Sequence, residues 1–142
     1  MIMSKSARTW IAMILLGSLV GLSAAQCSPD RRVRRYVEAH RDALQAAADL
    51  HFEQGEHLSY SGEFLAVNDW PGRHPMVEYL LFTTGPGYYG FYYSPDDVPL
   101  SFQNTDCLLS ETATGWQWQS ESGNHGSTRR ISPCWYYFEA FF

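Results

Sequence analysis

Apolar residues recur every third or fourth position from Ser28 to Gln54, and roughly every second position in most of the chain beyond. Val33, Val37, His40, Leu44, Ala47 and His51 form the first stripe, widened by Tyr36, Ala43 and Ala48. That spacing places one face of an α-helix against a core. Ser28-Pro29-Asp30 suits a helix start: serine caps free N–H groups, proline at the first position loses no hydrogen bond, and Asp30 complements the helix dipole. Gly55 is the natural stop.

From His57 the period is two. Strands are predicted over His57–Asn68, Met76–Thr84, Tyr88–Ser94, Gly115–Glu121, Ser127–Ile131 and Cys134–Phe142, with a brief pairing at Leu100–Phe102. Pro71-Gly72, Thr84-Gly85-Pro86-Gly87, Pro95-Asp96-Asp97 and Ser122–Gly126 supply the turns. The expected fold is α+β: one N-terminal amphipathic helix packed on a five- to six-stranded, mainly antiparallel sheet, with short links favouring a meander.

Two strands break the usual alternation of apolar and polar faces. Tyr88, Gly90 and Tyr92 oppose Tyr89, Phe91 and Tyr93; Tyr136, Phe138 and Phe142 oppose Trp135, Tyr137 and Phe141. One helix covers one face of a sheet. The aromatic residues of the other face must curl inward, meet another chain or hold a ligand. Tyrosine and tryptophan suit a half-wet contact surface. Trp116, Trp118, Trp135 and Tyr137, with Tyr89 and Tyr93 as neighbours, are therefore the candidate binding residues.

The N-terminus changes the picture. Lys5 and Arg8 precede an apolar run from Trp10 to Leu22, followed by Ser23-Ala24-Ala25. Positive start, short apolar core and small-residue cut site are the parts of a secretory signal. The run is shorter than the roughly 20 residues of a spanning helix. Residues 1–25 are thus expected to be a signal peptide and 26–142 a single exported domain, secreted or periplasmic. The alternatives are an uncleaved membrane anchor and lipidation at Cys27; Gln26 disfavours the second, because a very small residue normally precedes a lipidated cysteine.

Beyond the leader the chain has eight arginines, no lysine and fifteen acids, a formal charge of −7. Such a balance argues against nucleic-acid binding, which needs a basic surface. Arg31, Arg32, Arg34 and Arg35 cluster on the predicted helix as a solvated face. Export makes disulfides plausible chemistry. Cys107 with Cys134 is the expected pair, leaving Cys27 over.

No motif of high specificity marks a reaction. Gly-x-Ser-x-Gly, His-Glu-x-x-His and a glycine-rich phosphate loop are all missing. His40 and His51 are three helical turns apart, too far to share an ion, and Ser94-Pro95-Asp96-Asp97 lacks EF-hand spacing. Carboxylates such as Glu63 and Glu78 could meet across adjacent strands, but so could any two acids on a wet face. No cofactor, metal or catalytic residue is expected. The sequence reads as an exported, non-enzymatic interaction domain that docks on another exported or cell-envelope protein. A carbohydrate- or small-molecule-binding module is the alternative, and a hydrolase with unidentified residues ranks third.

Overall fold

The computed structural model describes residues 28–58 and 63–142. The predicted signal peptide, Cys27 and residues 59–62 of the first predicted strand lie outside the described residues. The chain divides into two compact units, Met1–Arg32 and Val33–Phe142. In the first, Arg32 N–H donates to the Ser28 carbonyl at 3.1 Å, closing the opening helical turn.

The amphipathic stretch folds as two helices, α1 (Pro29–Ala39) and α2 (Arg41–Gln54), rather than one. The break is at His40, whose φ of −116° leaves the helical range. Its Nδ1 lies 2.8 Å from the Tyr36 carbonyl, which the His40 backbone N–H already reaches at 3.1 Å. A side chain inserted into the hydrogen-bond ladder is a recognised cause of a bend. Gly55 ends α2 in the left-handed conformation, φ +69°, with its N–H on the His51 carbonyl.

Seven strands follow: β1 (Ala66–Trp70), β2 (Met76–Thr84), β3 (Gly87–Tyr93), β4 (Ser110–Thr112), β5 (Gly115–Gln119), β6 (His125–Ser132) and β7 (Trp135–Phe141). All pair antiparallel, in the order β1-β2-β3-β7-β6-β5-β4. The fold is α+β, with seven strands instead of five or six. The predicted His57–Asn68 strand starts later, at Ala66, and β4 was not anticipated. Leu100–Phe102 forms no strand; a 3-10 turn covers Phe102–Asn104.

Instead of one meander there are two, β1-β2-β3 and β4-β5-β6-β7, joined because β7 returns to pair with β3. The two all-round aromatic strands are thus neighbours in the middle of the sheet. There a strand is buried on both faces.

Each face has its own cover. On one, Val33, Val37, Leu44 and Ala48 of the helices pack on Val77, Tyr79, Tyr89, Phe91, Tyr93, Trp135 and Tyr137. On the other, Phe102 packs with Met76, Tyr92, Trp118, Tyr136, Phe138 and Ala140, bordered by Leu100, Cys107 and Leu109. This second cover is the β3–β4 connection, residues 94–109. Gly90 has no room for a side chain: a Cβ there would run into the Tyr79 carbonyl of β2 and the Phe138 ring of β7.

Irregular backbone must find partners outside regular ladders, and the connection does so residue by residue. Asp97 Oδ1 accepts from Cys134 N–H at 2.8 Å and Tyr136 O–H at 3.0 Å, and its other oxygen pairs with Arg130. Leu100 N–H donates to the Tyr92 phenol at 2.8 Å. Thr128 Oγ1 donates to the Tyr137 carbonyl, so the Tyr92 O–H is free to donate to Thr128 at 2.7 Å. Gln103 N–H donates to Glu78 Oε2 at 2.8 Å, and Asn104 Nδ2 to the His74 carbonyl at 3.0 Å. These anchors hold Asp97, Gln103 and Asn104 at φ of +53°, +56° and +51°, a region costly for side chains other than glycine.

Candidate functional site

The six candidate aromatic residues do not form a surface. Tyr89, Tyr93, Trp135 and Tyr137 belong to the helix-side core, while Trp118 is on the opposite face, bordered by half-buried Trp116. Five of them are 1–9% exposed: Trp135 and Tyr137 1%, Trp118 5%, Tyr89 8% and Tyr93 9%. The expectation of a bare aromatic face is therefore corrected. The sheet needs two covers, and the second was hidden in a segment that reads as turns.

Cys107 and Cys134 are free thiols, not a disulfide. They border different clusters: Cys134 packs against the helix-side core and Cys107 against the other. Burial raises the Cys134 pKa, with nearby Asp97 adding to the effect, so this thiol is no activated nucleophile.

Glu63 and Glu78 do not meet either. Glu78 is buried at 1% exposure beneath the β3–β4 connection, within 3.4 Å of Trp70 Nε1. Burial pushes its carboxyl up to about 7, against the opposing effect of the Gln103 and Trp70 hydrogen bonds. Glu63 instead accepts from the Tyr36 hydroxyl at 2.5 Å on the helix side. Burial, reinforced by the Glu63 carboxylate, drives the Tyr36 phenol pKa far up.

That pair stands at the edge of a cleft between the helices and the sheet. Tyr36, His40, Ala43, Leu44 and Ala47 line it from α1, α2 and the bend; Leu58, Glu63, Phe64, Val67 and Tyr79 line the other side. Its volume is about 210 Å³. The Tyr36 and His40 rings stack at 4.2 Å and 25°. Phe64 leans on Tyr36 and Tyr79, and Tyr79 stacks on Phe91 at 4.8 Å. The Tyr79 hydroxyl is sealed from solvent and finds no partner among the described residues; burial pushes its pKa up to about 12. An unpaired buried hydroxyl costs about 1–3 kcal/mol.

A wider groove of about 670 Å³ lies over β5, β6 and β7, lined by Gln117, Gln119, His125, Ser127, Glu139 and Phe141 among others. Its charges neutralise one another. Glu139 accepts from Ser127 at 2.8 Å and Tyr137 at 2.9 Å, with Arg129 3.8 Å away. Trp118 also borders it, with its Nε1 unpaired, but that ring packs over Gly126 within the opposite core. His125 stacks on Phe141 and has no acid within ion-pair reach among the bridges described.

Two further histidines are paired at the surface, His51 with Asp69 at 3.3 Å and His74 with Asp96 at 2.8 Å. Among the described residues no three metal-ligating side chains converge, and no helix is long and apolar enough to cross a membrane. No protein family, characterised protein or solved structure matches this chain. The helix–sheet cleft is the feature with the most binding chemistry left over. Sequence reasoning named its helical residues as core stripe and missed their convergence with Glu63, Phe64 and Tyr79. The one available signal was Tyr36, a polar-tipped ring widening an otherwise apolar stripe.

Proposed function

We propose that this chain is an exported, non-enzymatic module that binds a small molecule in the cleft between its helices and the β1–β2 side of its sheet. The observation carrying this reading is a largely apolar recess with polar groups, Tyr36, His40 and Glu63, at its edge. Ligand sites combine an apolar lining with a few polar groups that fix orientation. The volume suits a compact occupant, since benzene fills an engineered cavity of roughly 150 Å³. Placing the aromatic rings in two cores removes the support for protein docking through Trp116 and Trp135. Export rests on the Lys5–Ala25 pattern.

Two measurements test the reading. Fragment screening by protein-observed NMR should shift resonances of Ala43, Ala47, Phe64 and Val67 together; shifts confined to the β5–β7 groove would move the site there. Intact mass of the exported protein should correspond to a chain starting at Gln26. A full-length mass in the exported fraction would refute cleavage.

A further inference from the structure

We infer that the occupant of the cleft is a small amphipathic amine: an apolar body about one aromatic ring in size, carrying an ammonium group at the Glu63–His40 edge. This rests on the ligand-binding reading above. Both polar groups at that edge are suited to receive a donor. Tyr36 donates to one oxygen of Glu63, which leaves the carboxylate negative with accepting capacity on the other oxygen. The His40 Nδ1 contact is to the Tyr36 carbonyl, and a carbonyl only accepts. Nδ1 therefore carries the proton, and in the neutral ring Nε2 is left as an acceptor.

The stacked Tyr36 and His40 rings add aromatic surface to the same edge, and a cation near the face of a tyrosine is attracted to it. Among the described residues neither lysine nor arginine lines the cleft. A carboxylate ligand would meet Glu63 with no cation to offset the repulsion. The formal charge of the whole chain, −5, favours the approach of cations. Beyond the edge, Leu44, Ala47, Leu58, Phe64 and Val67 offer only apolar contact, which selects for a body without charge.

The test uses the full chain and three probes of one shape: phenethylamine, 2-phenylethanol and phenylacetate, titrated calorimetrically and by NMR. Phenethylamine should bind about tenfold more tightly than 2-phenylethanol, the size of one charge-assisted hydrogen bond, and phenylacetate should be the weakest. Glu63→Gln should remove most of that tenfold preference, weakening phenethylamine several-fold more than 2-phenylethanol. Ala47→Phe fills the recess and should abolish binding of both. Ala43→Leu, on the exposed flank of the same wall, does so more gently should Ala47→Phe fail to fold. Equal affinity for the amine and the alcohol, both lost on blocking, would overturn the amine and keep the cleft. Failure of phenethylamine to bind at millimolar concentration, or binding indifferent to both blocking variants, would overturn the cleft as well.

Discussion

The two faces of this sheet carry similar loads of aromatic side chains and are covered by opposite means. On the helix side, Val33, Val37, Leu44 and Ala48 do the covering, and the helices satisfy their own backbone. On the far side an irregular segment does it, with one buried ring, Phe102, and anchors at Asp97, Leu100, Gln103 and Asn104. A helix covers without asking the sheet for partners to its backbone groups. A loop covers only where the sheet supplies them, which is why Glu78 and Tyr92 are polar residues inside an aromatic core. The candidate cleft opens under the helices, where only side chains bond to the sheet, as when Trp135 Nε1 donates to Gln45 at 3.0 Å.

The sharpest test of that contrast is Phe102→Ala. Losing the loop's single buried ring should cost about 3–5 kcal/mol in chemical denaturation, with the signal of Trp118 on that face changing before that of Trp135 on the other. A loss under about 1 kcal/mol would mean that the hydrogen bonds alone hold the cover.

Glu78 gives the next largest effect, through pH. Its carboxyl titrates near 7 in the folded protein against 4.5 for an ordinary glutamate. The folded state therefore binds the extra proton between those values. Stability is greatest below about 4.5, falls as pH rises and levels off above about 7. At about 1.4 kcal/mol per pH unit the total is on the order of 3 kcal/mol. Glu78→Gln should flatten that slope in denaturation midpoints measured from acid to mildly alkaline pH. An unchanged slope would assign it to another group.

Asp97 runs the other way. The Cys134 N–H bond, helped by Tyr136 and Arg130, lowers its pKa, so its contribution is present above the ordinary aspartate range and fades as pH falls through the depressed value. Asp97→Ala should cost about 2–3 kcal/mol, as expected for hydrogen bonds to a charged group. Asp97→Asn should lose less, since asparagine tolerates positive φ and keeps one acceptor. Equal losses would make charge, not hydrogen bonding, the anchor.

The smallest effect lies on the helix side and has the opposite sign. Tyr79→Phe removes an unpaired hydroxyl and should leave stability unchanged or raise it by about 1 kcal/mol in thermal or denaturant unfolding. A loss of similar size would show that the hydroxyl has a partner in solution.

Local pattern carried a good part of this fold. The helical stripe, the Gly55 stop and the cores of β2, β3, β5, β6 and β7 were all legible, because periodicity and turn chemistry act over a few residues. The His40 bend was not, because histidine at that spacing reads as part of the stripe. β4 has three residues, too few for a period. Strand order was invisible for a different reason. That β7 sits beside β3 is decided by contacts more than forty residues apart, and with it goes the second cover. The cleft shared that fate, being assembled from residues on α1, α2 and the approach to β1, each unremarkable alone.

The seventh strand in chain order occupies the middle place among the seven. Until Trp135–Phe141 is inserted, β1-β2-β3 and β4-β5-β6 are separate ribbons, and the aromatic strand β3 is left as an open edge. Closure is then a single late event that completes both cores together, and such non-local pairing is slow. The seven residues of β7 thereby decide whether either half of the sheet has a partner at all.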